Sequence, residues 1–407
     1  ADEIAPQKGT DIYLTINQQL QAKAQALLTN RPGAIVVSCL KPGHEGEILA
    51  LASGPTYDPN RFDETGYYSS LIFNADGSDN TSRPLLNRAC RNAFPPGSTF
   101  KIVTATAALS EGVATAGTGF YCQGYLEIGK YKRRFHCHKR TGHGQLTFLE
   151  GISESCDVVF YNLGQRLSRQ GDASQTIKNY AELFGYGAPV GIALPGEVGG
   201  LVPDREWKRE HYAGERYNEI DRSWYEGDTL NYMIGQGYLT ATPLQVLWSA
   251  NLVAWDGWWY PPRLLKSKRV AIQIVPVDLE GTPLKPDENG QLAFPLAEQP
   301  LPRGLNSSAL ATVRDGMRLA VTDGTCKRVN IEGLAVCAKT GTAETGIAGE
   351  DDHAWITGFY PQSAPEYSFV VFFQNGGSAG ATAVPAAREL LKYMQARPPV
   401  GPENEES

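Results

Sequence analysis

Apolar residues recur three and four apart between Asn17 and Asn30, where Leu20, Ala24, Leu27 and Leu28 share one helical face, and Arg31-Pro32-Gly33 stops the pattern. Two short apolar runs follow, Ala34 to Ser38 and Glu47 to Leu51. The Lys41-Pro42-Gly43 segment between them is turn chemistry, so the pair predicts a β-hairpin. Helical periodicity dominates from about Gly97 to Ala254. Three more strand-like runs, Leu334 to Ala338, Ala354 to Phe359 and Tyr367 to Phe373, lead to a helix that opens around Pro385 and lines up Ala387, Leu390, Leu391 and Met394. The polar stretch Glu280 to Gly290 predicts an exposed excursion, and Pro398 to Ser407 a disordered tail.

This order of elements predicts an α+β fold in one domain over residues 1–397. Residues 1–60 and 305–397 contribute one antiparallel sheet and its covering helices, and residues 97–254 form a mostly helical part. Composition agrees with a globular chain able to bury a sizeable core: of 407 residues, 42% are hydrophobic and 20% charged. A net charge of −7 argues against a general nucleic-acid role. No run of about 18 apolar residues is present. The opening residues, Ala1-Asp2-Glu3, read as the middle of a longer protein.

Three segments carry candidate chemistry. Pro95-Pro96-Gly97 cannot be helical throughout, whereas Ser98-Thr99-Phe100-Lys101 runs into an Ala- and Thr-rich helix ending near Gly112. Ser98 therefore stands at a helix start, where main-chain N–H groups are unpaired and the macrodipole favours negative charge. Lys101 lies one turn on, and a buried lysine beside a serine is able to lose its proton and serve as base. Thr147 and Glu150 have the spacing of a capping box, opening a helix that carries Ser155-Cys156-Asp157. Ser155 is a candidate proton relay there, and Asp157 a partner for the lysine or a substrate amide. Lys339-Thr340-Gly341-Thr342 ends the strand Leu334 to Ala338. Lys339 with the two hydroxyls suits a carboxylate, and Gly341 leaves room for a ligand backbone. Taken singly, each segment also reads as a capping serine, a solvated lysine or a polar strand end.

Taken together, Ser-x-x-Lys, Ser-x-Asp and Lys-Thr-Gly occur in the order and separation of the penicillin-recognising acyl-serine enzymes, which this chain resembles. Further segments are similar to class B penicillin-binding proteins: Ala52 to Asn60, Asn87-Arg88-Ala89, Gly235-Gln236-Gly237 with Thr242-Pro243-Leu244-Gln245, and Gly316-Met317 with Gly324-Thr325. His353 to Pro361, Asn375-Gly376-Gly377 and the aspartate at position 157 resemble the elongation-type branch. The resemblance implies a peptidoglycan D,D-transpeptidase that cross-links stem peptides through acylated Ser98 and is a target of β-lactams. Lys101 is then the base, Ser155 the shuttle, and Lys339, Thr340 and Thr342 the carboxylate site. The N–H groups of Ser98 and Thr342 form the oxyanion hole. It also implies a pedestal and membrane helix, absent from this chain, that would hold the domain at the periplasmic face of the inner membrane, beside a SEDS-family glycosyltransferase and the elongation machinery. A D,D-carboxypeptidase, a penicillin sensor and a β-lactamase of the same fold are the rivals.

Cys122, Cys137, His143 and Cys156 are spaced Cys-x14-Cys-x5-His-x12-Cys, a closed four-ligand set for a structural zinc. The loop between, Gln123 to Gly142, is Gly-rich and basic, so burial alone is not expected to order it. A Cys122–Cys137 disulfide is the competing reading. The resemblance favours zinc, because elongation-type relatives have a zinc site in this loop. His136 and His138 are alternative ligands. Cys39 and Cys337 read as core residues. The basic run Lys130 to Arg140 reads as a solvated loop, and Trp255, Trp258, Trp259 and Tyr260 as packing rather than a sugar platform.

Overall fold

A computed structural model describes residues 9, 11–29, 31–270, 273–276 and 301–399. The excursion expected at 280–290 and the tail from 400 on lie outside the described residues. Pro399, in the expected tail, is placed: its carbonyl accepts a hydrogen bond from Asn17 Nδ2 at 3.1 Å.

The expected sheet is present. Strands β1 (Gly33–Cys39) and β2 (Ile48–Gly54) form the hairpin. Strands β7 (Cys337–Ala343), β8 (His353–Tyr360) and β9 (Tyr367–Phe373) complete an antiparallel sheet in the order β7-β8-β9-β1-β2. The first and last strand groups meet at β9 and β1, where Val370 pairs with Val36. Both faces are buried, which is why these strands read as continuous apolar runs rather than alternating ones. Ile35, Val37, Phe369 and Val371 face a core shared with α1 (Gln18–Leu28) and α6 (Ala383–Ala396), including Leu20, Leu390 and Met394. Val36, Val370 and Phe372 face the larger core under α5 (Pro243–Ala254), whose twelve residues are all buried.

Two expectations change. The run Leu334 to Ala338 is not one strand. Ala335 has φ +46° in the left-handed region, so the chain turns there and extension begins only at Cys337. Lys339-Thr340-Gly341 thus lies inside β7, an edge strand, rather than beyond its end. The middle block, expected to be mostly helical, also carries four short strands. Strands β3 (Gly119–Cys122) and β6 (Gly144–Thr147) pair, as do β4 (Tyr125–Ile128) and β5 (Arg133–His136), so the basic loop is two small ladders. Phe135 anchors them, buried against Tyr161 with ring centroids 5.8 Å apart.

The four cysteines outside the candidate cluster, Cys39, Cys90, Cys326 and Cys337, are fully buried in the two cores. Trp259 is buried and Trp255 packs on Tyr260 at 4.7 Å, while Trp258 is exposed.

Candidate active site

Ser98 lies in a single 3-10 turn, Gly97–Phe100, which runs directly into helix α2 (Lys101–Ser110). The turn is clamped on both sides. Gly97, at φ +53°, donates its N–H to Gly235 O at 2.9 Å. On the other side β7 presses against it: a Cβ on Gly341 would meet Pro96 O at 2.9 Å and Thr99 N at 3.1 Å. Gly341 therefore admits the backbone of the Ser98 turn, and not only a ligand as expected from the sequence. Thr99 and Phe100 are buried, leaving Ser98 half-buried at the surface of the clamp.

Lys101 is fully buried. Its Nζ donates to Asp157 Oδ1 at 2.6 Å, to Ser155 O at 2.8 Å and to Ser155 Oγ at 3.3 Å, with the Phe160 ring centroid 5.0 Å away. Ser155-Cys156-Asp157 does not lie on one helix. Helix α3 (Phe148–Ser153), opened by the expected Thr147/Glu150 capping box, stops, and α4 (Asp157–Gln170) starts afresh. Ser155 sits between them at φ +54°. That left-handed residue, a conformation that costs on the order of 1–3 kcal/mol, turns its carbonyl toward Lys101 instead of along a helix. Asp157 is held well below the usual carboxylate range. Burial alone would raise it, but Lys101 and His138 outweigh burial.

Lys339 is likewise fully buried. Its Nζ donates to Ser155 Oγ at 2.8 Å and to Thr340 O at 3.0 Å, so the Ser155 hydroxyl joins both lysines. Burial, and then the charge of Lys101, push Lys339 down to about 7 from an ordinary 10.5. Thr340 Oγ1 donates to Thr325 Oγ1 at 3.0 Å, and Thr342 Oγ1 accepts from Ala379 N at 3.3 Å. Strand alternation puts Lys339 and Gly341 on one face of β7, the face that packs on the Ser98 turn at Gly341, and the two threonines on the other. Thr325 has no role expected from the sequence. Its place in the Gly324-Thr325 segment was the one available signal.

The lysine gives a prediction. The unfolded chain keeps this proton up to about 10.5 and the native chain only to about 7, so between them the unfolded state binds more protons. Stability from this group therefore rises with pH across that window and falls as pH drops through about 7. Denaturant unfolding should show the parent gaining on Lys339→Met by up to about 1.4 kcal/mol per pH unit. A pH-independent difference would refute the shift.

The donor atoms of Cys122, Cys137, His143 and Cys156 all lie within 4.8 Å of one another. Cys137 Sγ is 3.9 Å from Cys156 Sγ and 3.6 Å from His143 Nδ1. Two glycines bring them together: Gly124 at φ +96° and Gly142 at φ +81° lie so close to the Arg140 and Cys122 carbonyls that any Cβ would collide. His143 Nε2 is buried with no partner, and all seven cysteines are free thiols. Thiols on a tetrahedral zinc stand about 3.8 Å apart, so the residues present fit such an ion. Cys137, His138 and Asp157 form a second, overlapping group. His136 is outside both.

A family model of the penicillin binding protein transpeptidase domain matches residues 43–392. The chain is 32% identical over 404 residues to the peptidoglycan D,D-transpeptidase MrdA of Haemophilus influenzae, covering 95% of this chain and 56% of that protein. It is 30% identical over 411 residues to MrdA of Escherichia coli, covering 96% and 59%. The chain thus spans less than two thirds of the length of these curated relatives. Among solved structures, Pseudomonas aeruginosa PBP2 in complex with WCK 5153 superposes with a TM-score of 0.76 at 31% identity, covering 95% of this chain and 78% of that one. PBP2 of Helicobacter pylori, in its complex with MreC, gives 0.74 at 28% identity, covering 95% and 64%. These relatives fit the elongation-type class B branch expected from the sequence. With its three motifs gathered around one serine hydroxyl, and its match running from just before β2 into the last helix, the chain belongs to the penicillin-binding protein transpeptidase domain family.

Proposed function

We propose that this chain is the catalytic domain of a peptidoglycan D,D-transpeptidase that cross-links stem peptides during cell elongation. The observation that carries the reading is the convergence of Lys101 and Lys339 on Ser155, beside a nucleophile turn clamped against β7. Ser98 Oγ attacks the carbonyl of the penultimate D-alanine, and its proton passes to Lys101. The terminal D-alanine leaves with a proton delivered through Ser155. An amine of a second stem peptide then attacks the ester and frees Ser98. The resting contacts of Lys101 use all three ammonium N–H groups, so the lysine must give up a proton before it acts as base. Ser155 Oγ offers the route to Lys339. A substrate carboxylate near Lys339 favours charge there. The outer edge of β7 and the N–H of Ser98 supply donors for the developing oxyanion.

Products decide between this reading and its rivals. With a pentapeptide donor and an amine acceptor, the domain should form the cross-linked dimer. Release of tetrapeptide alone would make it a carboxypeptidase. No observation favours a sensor or a β-lactamase. The full protein acts outside the cytoplasm, anchored at the periplasmic face of the inner membrane. Among the described residues no helix is long and apolar enough to cross a membrane. Solved relatives include PBP2 with MreC and a peptidoglycan synthase complex. Those likenesses support partners of the full protein in general, and the partners we propose are a SEDS-family glycosyltransferase and the elongation machinery.

Cys122, Cys137, His143 and Cys156 hold one structural zinc, which pins the two ladders to the start of α4 through Cys156. The chemistry itself needs no cofactor. Protein purified without chelator or a metal-binding tag should carry one equivalent of zinc. A strong chelator should lower Tm and the acylation rate together, since ligand at a thousandfold its Kd contributes about 4 kcal/mol. Less than about a tenth of an equivalent, with a mapped Cys122–Cys137 bridge, would remove the site.

A further inference from the structure

Asp157 is bonded from both sides. Oδ1 accepts from Lys101 Nζ at 2.6 Å, and Oδ2 accepts from the main-chain N–H of His138 at 2.8 Å. The His138 ring is farther, with Nδ1 3.4 Å from Oδ2, and half exposed. The amide therefore makes the shorter contact, and its place is fixed by the ladders. Cys137, the preceding residue, donates its N–H to Gly124 O at 2.8 Å and packs its sulfur into the cysteine–histidine cluster. We propose that the main-chain N–H of His138 is a positioning donor that aims the Asp157 carboxylate at Lys101 and so requires aspartate, not asparagine, at position 157. The proposal rests on the transpeptidase reading for its kinetic consequence, but not for its structural one.

The requirement follows from donor and acceptor counting. A carboxylate accepts on both oxygens, whereas an asparagine amide accepts on one end and donates on the other. An asparagine in this place would turn its NH2 either to the Lys101 ammonium or to the His138 N–H. Each orientation sets donor against donor in a buried site and forfeits a hydrogen bond to a charged group. The two ladders thereby become part of the base's support and not merely a surface appendage. His138 acts through Asp157 and touches no reacting atom.

A double-mutant cycle tests this, with Asp157→Asn on one axis and His138→Pro, which deletes the N–H, on the other. Penicillin acylation rates and unfolding midpoints are both read. Asp157→Asn should slow acylation at least tenfold in the parent, and much less in the His138→Pro background, where no donor faces the asparagine. His138→Pro should also slow acylation more than His138→Ala, which keeps the amide. A merely structural loop predicts additive effects. Additivity, or an alanine variant as slow as the proline variant, would overturn the proposal. If His138→Pro does not fold, hydrogen exchange at the His138 amide decides. It should quicken at least tenfold in Asp157→Asn while the Cys137 amide does not change; an unaltered His138 amide refutes the proposal. A parent that takes up no penicillin at Ser98 would sink the enzyme reading instead, and the exchange and unfolding measurements would still judge the positioning bond.

Discussion

Exposure to benzylpenicillin should add one penicilloyl group to the peptide carrying Ser98, and Ser98→Ala should add none. Removing a nucleophile that acts in concert with its base costs on the order of 10⁶-fold in rate, so no slow residual labelling should be visible on the time scale of the parent. The geometry leaves no ready substitute. Ser155 is only 5% exposed, with its hydroxyl held between two lysines, and Thr99 is fully buried with its hydroxyl on Pro96 O. Ser98 is the half-buried residue on the clamped turn. Intact mass and peptide mapping give stoichiometry and position together. An adduct on any other serine would refute the assignment of the nucleophile.

The second large effect is expected at Lys101. Lys101→Arg keeps a cation beside Asp157 but replaces a titratable amine with a group that does not give up its proton, so acylation should fall about 10²- to 10⁴-fold. Lys101→Met should lose acylation too, and should also unfold more easily. It leaves the buried Asp157 carboxylate without its 2.6 Å partner, a change that costs about 3–5 kcal/mol. The comparison separates chemistry from folding: both variants lose the base, and only methionine strands the charge. Near-normal acylation by a folded Lys101→Arg protein would end the case for Lys101 as base.

Local pattern reached far in this chain. Apolar runs buried on both faces marked β1, β8 and β9, and helical spacing of Leu20, Ala24 and Leu28 marked α1. The capping box at Thr147 and Glu150 was readable because both partners sit within one turn. The three motifs were legible because their residue types and spacing are themselves the signal, and so was the cysteine–histidine set. The small ladders were missed: four-residue strands rich in Gly and Arg carry too little apolar alternation to register.

Other features depended on contacts between residues far apart in sequence. Nothing local announces that Ala335 and Ser155 adopt the left-handed region, because tertiary bonds such as Lys101 to Ser155 O compensate that strain. Nothing local aims both lysines at one hydroxyl across 54 and 184 residues of chain, or lowers Lys339 by burying it beside Lys101. Nor does the sequence say that Gly341 is small to admit Pro96 and Thr99, or that the amide of His138 meets Asp157. The sequence by itself determined the sheet, its covering helices and which groups are the candidates for the chemistry, since periodicity and motif spacing are short-range properties of the chain. Their charge states, their approach and their mutual support were decided only by the tertiary structure, because desolvation, donor–acceptor matching and steric contact exist only once distant segments are packed together.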